Sequence, residues 1–520
     1  MTLLHITGND LSFDALHDVV FRGREAALAP DARRRMEASR AVIDRLVDSQ
    51  ATAYGVNTGF GELATVRIPR DQIRQLQINL VRSHACGIGP PLTEPETRAL
   101  ILLRANTLAK GFSGVRPVLV ETLCALLARG VHPVIPSQGS VGASGDLAPL
   151  AHLAQVLIGE GEAQFLGERI SGGEALRRAG IVPLALEAKE GLALLNGTQG
   201  MLSLAALALR EACILADTAD VAAALSLDAL RGSPAAFDAR IQAARPFRGQ
   251  ATVAQRLLRL NEGSQIRESH RSPQRDPRVQ DAYSLRCIPQ VHGAARDVLD
   301  HVAAILAIEL NSATDNPLVF PEGAGGPEGA GGSEGDGGPE AVLSGGNFHG
   351  QPLALAADQM ALALTTLAGI AERRIEHMTN PHTSLLPAFL VAQAGLNSGF
   401  MILQITAAAL ASEMKMQSSP HSVDSIPTSA NQEDYVSMGM AAARRLRPMI
   451  ENLRHILAIE LLCACQGIDL LAPLETGTLA RRAYAMVRSV SAKVEQDRSL
   501  APDINSVARL IADSAFMDLV

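Results

Sequence analysis

Tryptophan is absent from this 520-residue chain, tyrosine occurs only four times, and aromatic residues make up just 3% of it. The interior must therefore be built from aliphatic side chains, and the dominant Ala and Leu are both strong helix formers. Basic charge is also short. Lys and Arg number 46 against 54 Asp and Glu, leaving a net charge of −8 and an isoelectric point near 5.9. No basic excess exists to neutralise phosphates, so a general nucleic-acid partner is excluded. Cysteine is sparse, and Cys86, Cys124, Cys213, Cys287, Cys463 and Cys465 lack metal-ligand spacing. Cys463 and Cys465 sit in an apolar helical run and read as core thiols, so no metal is expected. That pattern suits a reducing, cytoplasmic setting.

The first residues, Met1 to Ile6, carry no basic cluster and soon meet Asp10, so no secretory signal is expected. Thr383 to Ser412 carries no formal charge, long enough on paper to cross a bilayer. Pro387, Gly395, Asn397 and Ser398 interrupt it, so a buried helix beginning near Ser398 and a soluble protein without a membrane span are expected.

Helical spacing predicts a helix over Ala32 to Ser49, and others over 71–86, 94–111 and 114–129. Residues 160–182 read as turns and short strands. Long apolar helices follow over Met201–Ala229, Pro289–Asn311, Pro352–Met378, Ser398–Gln417 and Gln432–Leu471, with Pro448 kinking the last. Helices apolar on nearly all faces belong in a bundle. Pro317 and Pro381 each follow an Asn read as closing a helix. The expected division is a region 1–200 and a helical bundle 201–520. A Gly/Glu-rich insertion near 321–341, with no large apolar side chain, reads as a flexible surface loop.

Chemistry must then come from polar islands in this Ala/Leu background. Gly139 to Gly145 is a run of mostly tiny residues ending in Asp146, which reads as the start of a helix reaching about Ile158. By spacing alone, Ser144 is a nucleophile, a phosphate contact or a turn residue. The other islands are Tyr54 to Gly61, Asn79 to Gly87, Asn196 to Gly200, Gln280 to Arg286, Gly345 to Gly350 and Ser425 to Asp434. Most precede an expected helix, and converging helix N-termini favour an anionic group such as a carboxylate. Arg286 is suited to clamp one.

The run Gly142-Ala143-Ser144-Gly145-Asp146-Leu147 resembles the signature of the aromatic amino-acid ammonia-lyases, the histidine, phenylalanine and tyrosine lyases with their related aminomutases. Tyr54 to Gly61, Asn196-Gly197-Thr198, Gln280 to Arg286, Thr314-Asp315-Asn316-Pro317, Gly345 to Gly350 and Asn431 to Asp434 extend the resemblance in order along most of the chain. It implies a mainly α fold: a long central helical bundle with a smaller mixed N-terminal region. It also implies that Ala143, Ser144 and Gly145 cyclise into 4-methylidene-imidazol-5-one (MIO), with no external cofactor. Ser144 would then be consumed rather than act as a nucleophile.

By the same resemblance, the substrate amine, or alternatively its ring, adds to the MIO methylene. Tyr54 removes the β-proton, and Tyr283 supports proton transfer. Arg286 binds the carboxylate, Asn196 and Gln280 hold polar groups, and Phe348 packs on the substrate or ring system. Ser83-His84 resembles the pair in histidine-specific members. His84 and Glu433 would bind an imidazole, and an apolar ring would leave both unpaired. The implied reaction is elimination of ammonia from L-histidine to give trans-urocanate, in a homotetramer with shared sites. A lyase or aminomutase for tyrosine or phenylalanine is the alternative. Tyr435 stands where the family pattern has His, and Gln351 where it has Glu.

Overall fold

Long helices dominate the computed structural model, which describes residues 2–49, 55–56, 58–59, 66–272, 276, 278–321 and 342–520. Tyr54, most of its island and residues 322–341 of the insertion lie outside the described residues. Two units emerge. The first joins Met1–Leu207, Ala304–Ala357 and Pro420–Arg444, and the second joins Ala208–Ala303, Asp358–Ser419 and Arg445–Val520. Both are assembled from separated stretches, unlike the two consecutive segments expected.

The first unit holds the short strands. Leu4–Ile6 pairs parallel with Ala26–Leu28, and Ile88–Pro91 antiparallel with Pro136–Gln138. His132–Pro133, Glu162–Phe165 and Glu168–Ser171 form an antiparallel three-stranded sheet. Leu318–Val319 pairs antiparallel with Val342–Leu343, tying together the two ends of the inserted segment.

The helix Glu94–Ala109 runs through this unit's interior, buried from Glu96 to Ala109. Its start is fixed reciprocally: the Glu96 amide donates to Thr93 Oγ1 at 3.4 Å, and the Thr93 amide to the Glu96 carboxylate at 2.7 Å. Pro117–Arg129 opens on proline at a position whose amide needs no partner, and closes on Gly130 at φ +67°.

In the second unit, Leu446–Leu470 is buried over most of its length and carries Cys463 and Cys465 in the core. Buried within the unit, Arg374 pairs with Glu460 through Nε to Oε1 at 2.5 Å and Nη2 to Oε2 at 3.0 Å. Ser226 Oγ donates to the same carboxylate at 2.8 Å. The imidazole of His292 lies 2.9 Å from Asp220 by Nδ1, and its Nε2 faces Arg374 Nη1 at 3.4 Å. Burial lowers the pKa of His292 against the pull of Asp220.

Gln199–Ala229 and Gln351–Thr379 are long and apolar enough to cross a membrane, and 78% and 67% of their most apolar stretches are buried inside the fold. The uncharged 383–412 stretch is divided as expected, and its main helix starts at Met401 rather than Ser398. The continuous helix over Gln432–Leu471 requires correction. Residues 432–438 are irregular, Gly439–Arg444 is a short helix, and a new helix begins at Leu446. Pro448 falls in that helix's first turn, where a missing amide is harmless, so it makes no mid-helix kink. Asn380 follows a helix end as expected, but Asn316 does not, since that helix stops at Glu309.

Glu460→Ala strands the Arg374 guanidinium in the core and should lower the unfolding free energy by about 3–5 kcal/mol. Urea denaturation checks this, and a loss below about 1 kcal/mol, as for an exposed pair, would contradict it.

Candidate active site

The strand Pro136–Gln138 delivers the chain into the Gly139–Gly145 loop, which is gripped at both ends. At one end the Met438 amide donates to Val141 O at 2.8 Å, and Ser437 Oγ and the Gly350 amide donate to Gly142 O at 2.9 and 3.2 Å. At the other, the Asp146 amide donates to Gly197 O at 2.7 Å. Gly142 and Gly145 have φ of +68° and +74°, and a Cβ on Gly145 would lie 2.2 Å from Gly197 O. Only glycine meets both conditions there.

Asp146 heads the helix Leu147–Leu157 as expected, but its side chain does not cap that helix. The buried carboxylate accepts instead from Ser140 Oγ at 2.8 Å and from the Met201 amide at 2.7 Å, in the first turn of Gln199–Ala229. Burial pushes its pKa up to about 6, against the pull of those donors.

The loop opens on a cavity of about 1230 Å³ lined wholly by the first unit. Ala143, Ser144, His84, Asn196, Phe348 and Glu433 all line it, with Leu76, Leu80, Leu192 and Leu195 among its apolar walls. Ser144 Oγ donates to Glu433 Oε1 at 2.6 Å, and Thr428 Oγ1 to Oε2 at 2.6 Å. Backbone hydrogen bonds of 2.9 and 3.3 Å between Thr428 and Glu433 hold the carboxylate there.

His84 ends the helix Ile73–His84, with Nδ1 2.9 Å from Leu80 O. A carbonyl only accepts, so the proton sits on Nδ1 and Nε2 is left as an acceptor. Burial, the largest influence, lowers the His84 pKa, while Leu80 O and Glu433 pull it back. His84 is thus neutral at pH 7. Asn196 Nδ2 donates to Asn316 O at 3.1 Å, but its buried Oδ1 has no partner among the described residues. A buried orphan acceptor on a cavity wall is a place for a ligand's N–H.

Several lining segments adjoin helix starts: Leu147 begins one, and Asn196 and His349 lie just before Gln199 and Gln351. Their partial positive charge suits a carboxylate. Gln432 to Tyr435 adjoins no such start, because the expected helix there does not form.

The aromatic amino acid lyase family matches residues 11–489. The chain belongs to that family. A curated histidine ammonia-lyase of Koribacter versatilis (strain Ellin345) is 55% identical over 512 residues, covering 98% of each chain. One of Anaeromyxobacter dehalogenans (strain 2CP-C) is 52% identical over 523 residues, covering 99% of each. Among solved structures, histidine ammonia-lyase from Trypanosoma cruzi superposes with a TM-score of 0.89 at 44% identity, covering 100% of this chain and 95% of that one. A tyrosine aminomutase from Streptomyces globisporus gives 0.92 at 38% identity, covering 100% and 98%.

Not every expected site residue of this aromatic amino acid lyase lies at the cavity. Tyr54 is outside the described residues. Gln280, Tyr283 and Arg286 belong to the second unit, whereas the lining comes from the first. Tyr283 is exposed, with the Arg286 guanidinium 4.7 Å over its ring, and Arg286 Nε is buried without a partner among the described residues. Of the two departures from the family pattern, Tyr435 lines the cavity and stacks on His349 at 6.2 Å. Gln351 is not among the lining residues, and its amide donates to Ser422 O at 3.0 Å.

Sequence reasoning placed Ser140 and Thr428 inside islands without assigning either a partner, and it missed Ser437. Ser437 stood inside a supposed helix, and single hydroxyls carry no signal until their partners are placed.

The raised Asp146 pKa has a consequence for stability. Its protonated form is favoured by the fold, so that contribution is full below the unfolded value near 3.8 and is lost as pH rises through about 6. The stability of wild type relative to Asp146→Asn should therefore fall across that window, measured by denaturant unfolding at several pH values. A rising or flat difference would refute the assignment.

Proposed function

We propose that this chain is a histidine ammonia-lyase, a carbon–nitrogen lyase eliminating ammonia from L-histidine to give trans-urocanate. The observation that carries the reading is the convergence of Ser144, Glu433 and His84 on one cavity, with Ser144 Oγ 2.6 Å from the carboxylate. The names of the relatives point the same way. So does the match in the polar groups.

The segment Ala143-Ser144-Gly145 fits an MIO precursor. Glycines at positive φ flank Ala143 and Ser144, no bulk is tolerated at Gly145, and Asn196 Oδ1 on the adjoining wall has no partner among the described residues. Once formed, the group supplies an electrophilic methylene that ordinary side chains lack. Consumption of the Ser144 hydroxyl deprives Glu433 Oε1 of its donor, leaving it to accept an N–H of the substrate ring. His84 Nε2 accepts the other. Two acceptors best match an imidazolium, which has two N–H groups, and a phenyl or phenol ring cannot satisfy both.

Tyr54 is the proposed base for the β-proton. Gln280, Tyr283 and Arg286 are proposed to reach the cavity from a neighbouring copy in a homotetramer, with Arg286 Nε, which has no partner among the described residues, among the donors for the substrate carboxylate. Association is supported by the helix Met401–Gln417, whose buried Leu403, Ala407, Ala411 and Met414 are matched by exposed Ile402, Ile405 and Met416 on another face. A cytoplasmic setting accords with the free cysteines.

Incubation with L-histidine should release ammonia and an ultraviolet-absorbing conjugated acid. A tyrosine aminomutase relative makes a β-amino acid product the competing outcome, resolved by product chromatography; turnover of tyrosine or phenylalanine but not histidine overturns the substrate assignment. Ser144→Ala should stay folded, keep the full mass of its own unprocessed sequence and lose activity; full turnover would refute the mechanism. Glu433→Gln and His84→Leu should each lower kcat/KM for histidine roughly 10- to 100-fold, about 1–3 kcal/mol per unpaired ring N–H. Wild-type kcat/KM should also have an acid limb below the ordinary imidazole value of 6.5, as His84 gains a proton and ceases to accept. That limb should be absent in His84→Gln.

A further inference from the structure

Arg104 lies within the helix Glu94–Ala109, fully buried, and is not itself among the residues that line the cavity. Its Nη1 donates to Asn196 O at 2.9 Å and to Gln199 Oε1 at 2.6 Å. Gln199 in turn donates through Nε2 to Thr107 Oγ1 at 3.0 Å and Thr314 Oγ1 at 2.8 Å, so the acceptor is itself fixed. Arg104 Nε and Nη2 have no partner among the described residues. A buried guanidinium with unused donors is an expensive way to stabilise a helix interior.

The carbonyl that Arg104 holds belongs to the peptide linking Asn196 to Gly197. Gly197 has φ +150°, and a Cβ there would meet Gln199 Oε1 at 2.4 Å and Arg104 Nη1 at 2.5 Å. Its own carbonyl accepts the Asp146 amide at 2.7 Å, and the Gly145 backbone packs directly on it in a parallel bridge. A continuous series of contacts therefore runs from Arg104 through Asn196 and Gly197 to Gly145.

We propose that Arg104 is a positioning residue for self-processing of the Ala143–Gly145 segment, holding the Gly197 peptide as the anvil against which Gly145 is pressed toward Ala143. The inference rests on the reading of that segment as an MIO precursor. Ring closure forms a bond from Gly145 N to the Ala143 carbonyl carbon. The Ala143 oxygen departs as water with the amide hydrogens of Gly145 and Ser144, leaving a C=N bond. The Ser144 hydroxyl departs as a second water with the Ser144 Cα hydrogen, leaving the methylene. No electrons are exchanged with an outside reagent. The first step demands close approach of two atoms in one short turn, where small displacements cost large factors in rate. Arg104 remains cationic at neutral pH, although burial lowers its pKa to about 10.

The test follows processing by intact mass after pulsed synthesis, on the folded fraction isolated by size. Wild type should lose two waters per chain; if it does not, the underlying reading of the segment fails. Arg104→Gln should process roughly tenfold or more slowly, accumulating folded, unprocessed chain, and Arg104→Lys, which keeps the cation and one donor, should fall between. Arg98→Gln serves as control, because Arg98 is also buried but holds Val19 O and Val20 O, away from the loop. Its processing rate should match wild type despite a lowered Tm. Wild-type rates in both Arg104 variants overturn the inference, as does equal slowing in Arg98→Gln at equal loss of Tm. If Arg104→Gln yields no folded fraction, Arg104→Lys decides alone: slowed processing supports the role, and an unchanged rate overturns it.

Discussion

The approach of Gly145 to Gly197 is the constraint on which the rest of the site depends. Two backbones meet where no side chain fits, and one hydrogen bond from Asp146 N to Gly197 O locks them. Everything nearby serves that contact. Ser437 and Met438 hold the upstream end of the loop, while the Asp146 carboxylate reaches over to the first turn of Gln199–Ala229. One acid thus joins two helix starts, and its burial is tolerable because two donors answer it.

The same economy recurs in the walls of the cavity. Glu433 and His84 are each held by a neighbour, Thr428 and Leu80 O, and each keeps a second acceptor atom on a side chain that lines the cavity. Preorganisation of this kind removes the entropy cost of ordering side chains on binding. The site is therefore set by backbone carbonyls and hydroxyls as much as by the residues that face a substrate.

The sequence made the islands legible because tiny and polar residues stand out in an Ala/Leu background. Ser144 could be singled out for that reason, and the long helices followed from their apolar spacing, whereas His84, Asn196, Phe348 and Glu433 were chosen by the resemblance to the ammonia-lyases. What escaped was conformational. Ser429, Ala430, Asn431 and Met438 adopt φ between +50° and +68°, a left-handed backbone that their side chains disfavour. Nothing in their identity announces it, since the contacts that sustain it come from Val141, Gly142 and the Thr428–Glu433 pairing. The expected helix was broken by tertiary structure. Likewise Asp146 was legible as a helix start, but not as an acceptor for a different helix. The assembly of each unit from separated stretches was equally hidden, because helix periodicity says which face is buried and not against what.

The strand pair Leu318–Val319 and Val342–Leu343 also bears on how this chain tolerates change. Immediately after it, the Gly345 amide donates to Asn316 Oδ1 at 2.7 Å, so the paired strands lead straight into a bond between two residues of the cavity wall. Doubling the residues between the clasped ends adds only about 0.6 kcal/mol of closure entropy. The clasp thus acts as a strain relief, and the point between Val319 and Val342 is a natural port through which a tag or a whole foreign domain can be carried without disturbing the wall behind it.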